Sequence, residues 1–118
     1  MGFVARLEYR VHPSVDGGAD FEAHTTNYRY HILDRDDREI LAYHWHPNSV
    51  SPVTEPHLHL SGRLRPLDVG ARDVPVPLGE MYLPTGMVTL VQVVRLLITE
   101  FDVEPRRPDW EAVLSSTP

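Results

Sequence analysis

Apolar and polar positions alternate along the first half of the chain in a way that is typical of β-strands. Residues 3–11 alternate with a period of two, and the same period recurs over 21–33, 39–46 and 57–65. Successive side chains of a strand point to opposite faces of its sheet. The pattern therefore predicts a twisted antiparallel sheet of four or five strands, the fifth being a short edge strand near residues 80–83.

The acidic turn at residues 34–38 joins the second and third predicted strands, and the side-chain pattern selects their register. In that register Tyr28 pairs with Trp45, and Arg29 pairs with His44. A slip of one residue would mix apolar and polar side chains on both faces. One face then carries aromatic and aliphatic residues. The other, which we call the histidine face, carries these polar side chains: Asn27, Arg29, His31, His44, His46, His57 and His59.

The period changes to that of an α-helix in the last third of the chain. Thr89 begins a capping box, and apolar residues recur at helical spacing over 89–101. Asp109 stands where it can cap a short terminal helix over 109–116. Because an apolar sheet face needs cover, we expect the long helix to lie on it. The chain is thus predicted to be a single α+β domain, residues 1–118.

Composition narrows the chemistry that the chain can perform. The absence of cysteine excludes disulfides and thiolate metal sites, and the absence of lysine excludes Schiff-base catalysis. A net charge of −6 argues against non-specific binding to duplex nucleic acid. No apolar run is long enough to span a membrane, and the first residues lack a signal-peptide pattern. We therefore expect a cytoplasmic protein that does not bind a membrane.

The concentration of histidines on one face leaves three interpretations open, since imidazole both ligates metals and titrates near neutral pH. The first is a polar strand surface with no catalytic role, as in a small interaction module. The second is a site for Zn²⁺ or another divalent transition metal, with Glu55 as an additional oxygen ligand. In that interpretation the metal ligands are His44, His46, His57 and His59.

The third interpretation is metal-free acid–base catalysis on RNA, as in small ribonucleases and ribonuclease toxins. One imidazole would take the 2′-hydroxyl proton, another would protonate the leaving oxygen, and Arg29 would neutralise the phosphate charge. The catalytic residues would then be His44, His57, His59 and Arg29. The substrate-binding residues would be His31, His46, Asn27 and Tyr43. Because an arginine beside the histidines suits an anion better than a metal, the sequence favours this interpretation, with no cofactor.

Residues 27–60 combine an aromatic hairpin, an acidic turn and a Pro-His-x-His segment. This combination resembles the TumE-like family of small bacterial toxin–antitoxin proteins. Carried over residue by residue, Tyr43, His57 and His59 correspond to positions of that family. The resemblance implies a bacterial toxin whose antitoxin partner covers the histidine face. The family carries Asp-Asn after its tyrosine, whereas this chain has His-Trp-His at residues 44–46.

The terminal helix suggests a further partner. Trp110 is a large apolar residue on a short predicted helix, and tryptophan is enriched at the centres of protein interfaces. A homodimer is therefore an additional expectation. The sequence leaves open whether the chain is an enzyme.

Overall fold

The computed structural model of the protein describes residues 1–15 and 20–117, which form two compact units. The first unit, Met1–Met87, holds a five-stranded antiparallel sheet, and the second, Val88–Pro118, holds two helices, so the α+β class is confirmed. The strands lie in the sheet in chain order. They are β1 (Gly2–Pro13), β2 (Phe21–Leu33), β3 (Glu39–Trp45), β4 (His57–Leu60) and β5 (Leu83–Pro84).

The predicted register of β2 against β3 is confirmed, with Tyr28 opposite Trp45 and Arg29 opposite His44. The turn between them is fixed by the Asp34 carboxylate, whose Oδ1 accepts the backbone N–H groups of residues 36 and 38 at 2.8 and 3.1 Å. These hydrogen bonds, chiefly the one from the backbone of residue 38, hold the pKa of Asp34 below its ordinary value. A local turn and a one-sided apolar pattern therefore specify the same pairing.

The register shifts at the end of the β2–β3 hairpin, where a β-bulge moves one acidic side chain. Ile32 pairs with Leu41, but the next pair is Leu33 with Glu39, so Ile40 is the extra residue. An extra residue reverses the alternation beyond it. The carboxylate of Glu39 therefore lies on the histidine face, although simple alternation places it on the apolar face.

The fourth strand is shorter than the predicted 57–65. It ends at Leu60 because the chain turns at Ser61, whose hydroxyl accepts the backbone N–H of Arg63 at 3.2 Å. The carbonyl of Ser61 also accepts the backbone N–H of Leu64 at 3.2 Å. Both contacts use backbone N–H groups that a longer strand would need for pairing with its neighbour.

The apolar side chains of β2 form the core of the first unit. Tyr28, Tyr30 and Ile32 are each at most 1% exposed, and the two tyrosine rings stack at 4.7 Å. The Trp45 ring lies 5.9 Å from Tyr28, as the register requires. Burial of these large rings supplies much of the hydrophobic stabilisation of the sheet.

The second unit contains α1 (Leu90–Glu100) and α2 (Trp110–Ser115). The predicted capping box is confirmed, because Thr89 Oγ1 accepts the backbone N–H of Gln92 while Gln92 Oε1 accepts that of Thr89. The helix predicted as long has 11 residues, since the two ends of the predicted range are its caps. That α1 covers the apolar sheet face stays a prediction. Within residues 1–15 and 20–117, no helix is long and apolar enough to span a membrane.

Asp109 occupies the N-cap position of α2, but the prediction that its side chain caps the helix is wrong. Its carboxylate instead accepts two hydrogen bonds from the Arg107 guanidinium, at 2.9 and 2.8 Å. A bidentate, charge-assisted pair outcompetes a neutral backbone donor for the same oxygens.

The segment before β5 packs closely against the chain just after β4, and Gly79 lies at the point of contact. A Cβ at Gly79 would lie 2.6 Å from the Cα of Gly62, whereas a Cβ at Gly62 would meet nothing within 4 Å. We expect Gly79→Ala to lower the free energy of unfolding by about 1–3 kcal/mol, because the two backbones must separate. The matched change Gly62→Ala should cost less than about 0.5 kcal/mol in urea denaturation. Equal losses in the two variants would contradict the close approach.

Candidate functional site

The histidine face is built by cross-strand pairing over three strands. One row of paired residues is Arg29, His44 and His57, and the next is His31, Ala42 and His59. Side chains of directly paired residues share a face and lie about 4.5–5.5 Å apart at Cβ. The buried Ala42 side chain is small, so it takes up little room between the imidazoles of its row.

Five imidazoles form one continuous group, which we call the histidine cluster. The His44 and His59 rings lie 4.7 Å apart, His57 and His59 4.8 Å, and His44 and His57 5.7 Å, centre to centre. His31 lies 5.2 Å from His44, and His46 lies 5.3 Å from His57. One ring nitrogen each from His44, His57 and His59 lies within 4.8 Å of the other two. These three side chains are the geometric centre of the candidate site.

Two nitrogens at this centre are buried without a hydrogen bond. His44 Nε2 and His57 Nε2 have no hydrogen-bond partner among the described residues. The other nitrogen of His57, Nδ1, donates to the carbonyl oxygen of Glu55 at 2.7 Å. Because the neutral ring carries one hydrogen, Nε2 of His57 presents a lone pair to the cluster. A buried polar atom without a partner costs about 1–3 kcal/mol, so two in one place call for a function.

The flanking histidines are oriented in the same way. His31 Nδ1 donates to Glu39 Oε2 at 2.9 Å, and His46 Nδ1 shares a hydrogen bond with Ser49 Oγ at 2.8 Å. The carboxylate that the β-bulge brings to this face is therefore a positioning group for His31. A hydrogen bond at Nδ1 fixes the orientation of each ring, as is typical of metal-ligating histidines.

Burial and mutual repulsion favour the uncharged form of two imidazoles at the centre of the cluster, those of His44 and His59. Burial, together with the neighbouring histidines, lowers the pKa of His44 to about 3. The pKa of His59 is also lowered, mainly by burial and next by His57, although the charge of Glu39 opposes the change. Neutral imidazole is the form that binds metal ions, whereas a general acid must be protonated. At neutral pH these two groups are available as ligands or bases.

Tyr82 was missed by sequence reasoning. Its ring packs edge-on against His57 and His59, with centroids 5.2 and 4.9 Å away. Tyr82 immediately precedes Leu83 of β5, which pairs with Leu58 of the apolar face, so by alternation Tyr82 lies on the histidine face. The sequence predicts a short edge strand near residues 80–83, but so short a pattern does not fix the register that places Tyr82 beside the histidines.

The structure brings most of the predicted site residues together, but not all of them. Tyr43 pairs with Tyr30 and Leu58 on the apolar face, so it is directed away from the histidines and cannot bind a substrate there. The predicted oxygen ligand Glu55 contributes its backbone carbonyl, while its exposed side chain does not join the ligand group. The face is not exposed throughout, since His57 is only 1% exposed. The residues that do share the face are Asn27, Arg29, His31, His44, His46, His57 and His59.

Similarity to known proteins gives no assignment for this site. The resemblance to the TumE-like family stays a prediction, as do an antitoxin partner and a cytoplasmic location. The function is therefore inferred from the side chains themselves. No family model, no curated protein and no solved structure matches the chain.

Proposed function

We propose that the protein binds a divalent transition metal ion through the imidazoles of His44, His57 and His59. The observation that carries the proposal is the close approach of three ring nitrogens within 4.8 Å, two of which belong to rings with a buried, unpaired Nε2. Nitrogen ligands of a tetrahedral Zn²⁺ lie about 2.0–2.1 Å from the ion and hence about 3.3 Å apart. Ring movements on the order of 1 Å would complete the set.

The ligand type favours Zn²⁺, Fe²⁺, Ni²⁺ or Cu²⁺ over Mg²⁺ and Ca²⁺, which prefer oxygen. The hydrogen bond that Nδ1 of His57 donates to the Glu55 carbonyl is an outer contact of the kind that metal-binding histidines usually have. Three protein ligands leave the fourth tetrahedral position for water or a substrate, as in catalytic rather than structural zinc sites. A reactive metal centre is therefore a better match than a structural one.

Metal-free cleavage of RNA is the second candidate, and the pairing of Arg29 with His44 supports it. Such a mechanism needs one imidazole that is protonated at neutral pH. His44, with its pKa lowered to about 3, is not suited to that role. A chelator distinguishes the two candidates, because metal-free RNA cleavage should persist after exhaustive treatment with EDTA.

The metal site is tested by calorimetric titration of EDTA-treated, full-length protein with Zn²⁺. We expect one ion per chain and little proton release at pH 7, since the pKa values of His44 and His59 are lowered. The bound ion should also stabilise the fold by about 2.7 kcal/mol when free Zn²⁺ is 100 times the Kd. Thermal melts with and without the ion measure this gain.

X-ray absorption of the loaded protein identifies the ligands. We expect imidazole nitrogens at about 2.0–2.1 Å from the metal ion. His24→Gln is a matched control, because His24 is exposed and lies outside the cluster, and this variant should load as the wild type does. A shell without imidazole, or loading that His24→Gln reduces, would rule out the proposed site.

A further inference from the structure

A polar cavity of about 790 Å³ lies beside the histidine cluster. Its walls come from β1, β2 and the segment that follows β3. Its size is within the range of sites that hold small molecules, about 300–1,000 Å³. We call it the arginine pocket after the side chains that distinguish it, and the lining used below is Arg6, Arg10, Asn27, Arg29 and His46.

The pocket concentrates positive charge that the chain itself does not fully neutralise. Arg6 is paired directly with Arg29 across β1 and β2, a like-charge arrangement that opposes strand pairing. Arg6 has a partner in Glu8 at 3.6 Å, and Glu8 also accepts from Asn27 at 2.9 Å. In contrast, the guanidinium groups of Arg10 and Arg29 make no hydrogen bond or ion pair with any of the residues that the structure describes. Two free guanidinium groups are thus available to a ligand.

The pocket and the histidine cluster are continuous. Arg29 is the direct cross-strand neighbour of His44, and His46 belongs both to the pocket lining and to the cluster. A group held by the Arg29 guanidinium therefore lies next to the nitrogens that would hold the metal ion. Guanidinium is suited to this task because its fork of N–H donors matches two oxygens of one anion.

We propose that the arginine pocket binds an oxyanion, a phosphate or carboxylate group of a small molecule, chiefly through Arg29 and Arg10. Binding of the anion to the pocket does not depend on the metal. We also infer that one oxygen of the same ligand reaches the metal, and this second part rests on the proposed function. The anion would relieve the repulsion between Arg6 and Arg29, and the metal would complete its coordination with the ligand's oxygen.

The test is calorimetric titration of full-length protein with phenylphosphonate and with benzoate, which differ only in the anionic group. Each probe is measured on EDTA-treated and on zinc-loaded protein. We expect Arg29→Gln to weaken binding about 10-fold or more in both forms, because a charge-assisted contact is lost. Arg65→Gln, which removes an exposed arginine outside the pocket, should leave the affinity unchanged. Tighter binding of phenylphosphonate supports a phosphate ligand, and tighter binding of benzoate supports a carboxylate.

The outcomes separate this inference from the proposed function. If Zn²⁺ binds but neither probe does, or if Arg29→Gln binds as tightly as the wild type, the arginine pocket is overturned alone. If a probe binds in an Arg29-dependent way while Zn²⁺ does not, the pocket stands and the metal site fails. If zinc-loaded and EDTA-treated proteins bind the probes equally, the ligand does not reach the metal.

Discussion

Exchanging His59 for glutamine is expected to lower the affinity for Zn²⁺ about 100-fold. Structural zinc sites with four ligands bind with roughly 10–16 kcal/mol, so each ligand contributes about 3 kcal/mol, or about two powers of ten. His59 is the best place to test this, because it belongs to the group of three nitrogens and is less buried than His57. Competition with a chelator of known affinity measures the loss.

The matched variant is His24→Gln, which removes an exposed imidazole on the β1–β2 hairpin. It should retain the wild-type affinity, and circular dichroism should show that both variants are folded. His57→Gln should lose affinity as His59→Gln does, but with an added loss of stability, because its ring is buried and bonded to the Glu55 carbonyl. Equal affinities of His59→Gln and His24→Gln would mean that the cluster is not the binding site.

The sheet could be predicted from the sequence because one period-two pattern specifies both register and face. The pairing of Tyr28 with Trp45 follows from the requirement that aromatic side chains share a face, and the structure has it. The end of β4 could not be found in this way. Its limit is set by the hydroxyl of Ser61, and a side-chain hydrogen bond of this kind leaves no trace in the alternation of polar and apolar residues.

Most residues of the candidate site could be predicted from the sequence, but the contacts among them could not. Alternation places His44, His57 and His59 on one face, yet only the three-dimensional contacts show that two Nε2 atoms are buried and unpaired. The position of Glu39 depends on a β-bulge that no pattern of hydrophobicity reveals. These features are the reason that we propose a metal ion at the histidines, where the sequence alone favoured an anion. Arg29, which led to that preference, also lines the neighbouring pocket.

Acid is expected to destabilise the metal-free protein through His44. The unfolded chain takes up a proton at His44 near its ordinary pKa of 6.5, whereas the folded protein does so only at about 3. Between these pH values the unfolded state binds more protons than the folded state. The contribution of His44 to the free energy of unfolding is therefore fully present above pH 6.5 and is lost as the pH decreases. By pH 4 the loss from this one group is about 3 kcal/mol, and His59, whose pKa is also lowered, adds to it.

His44→Gln isolates this effect because glutamine does not titrate. Carboxylates also lose charge below pH 5, but they do so in both proteins and cancel in the comparison. In urea denaturation of EDTA-treated samples, the wild type should lose about 3 kcal/mol more than His44→Gln between pH 7 and pH 4. Parallel stability curves would show that His44 is protonated as easily in the folded protein as in the unfolded one. Its ring would then lack the neutral, desolvated state that prepares it to bind a metal ion.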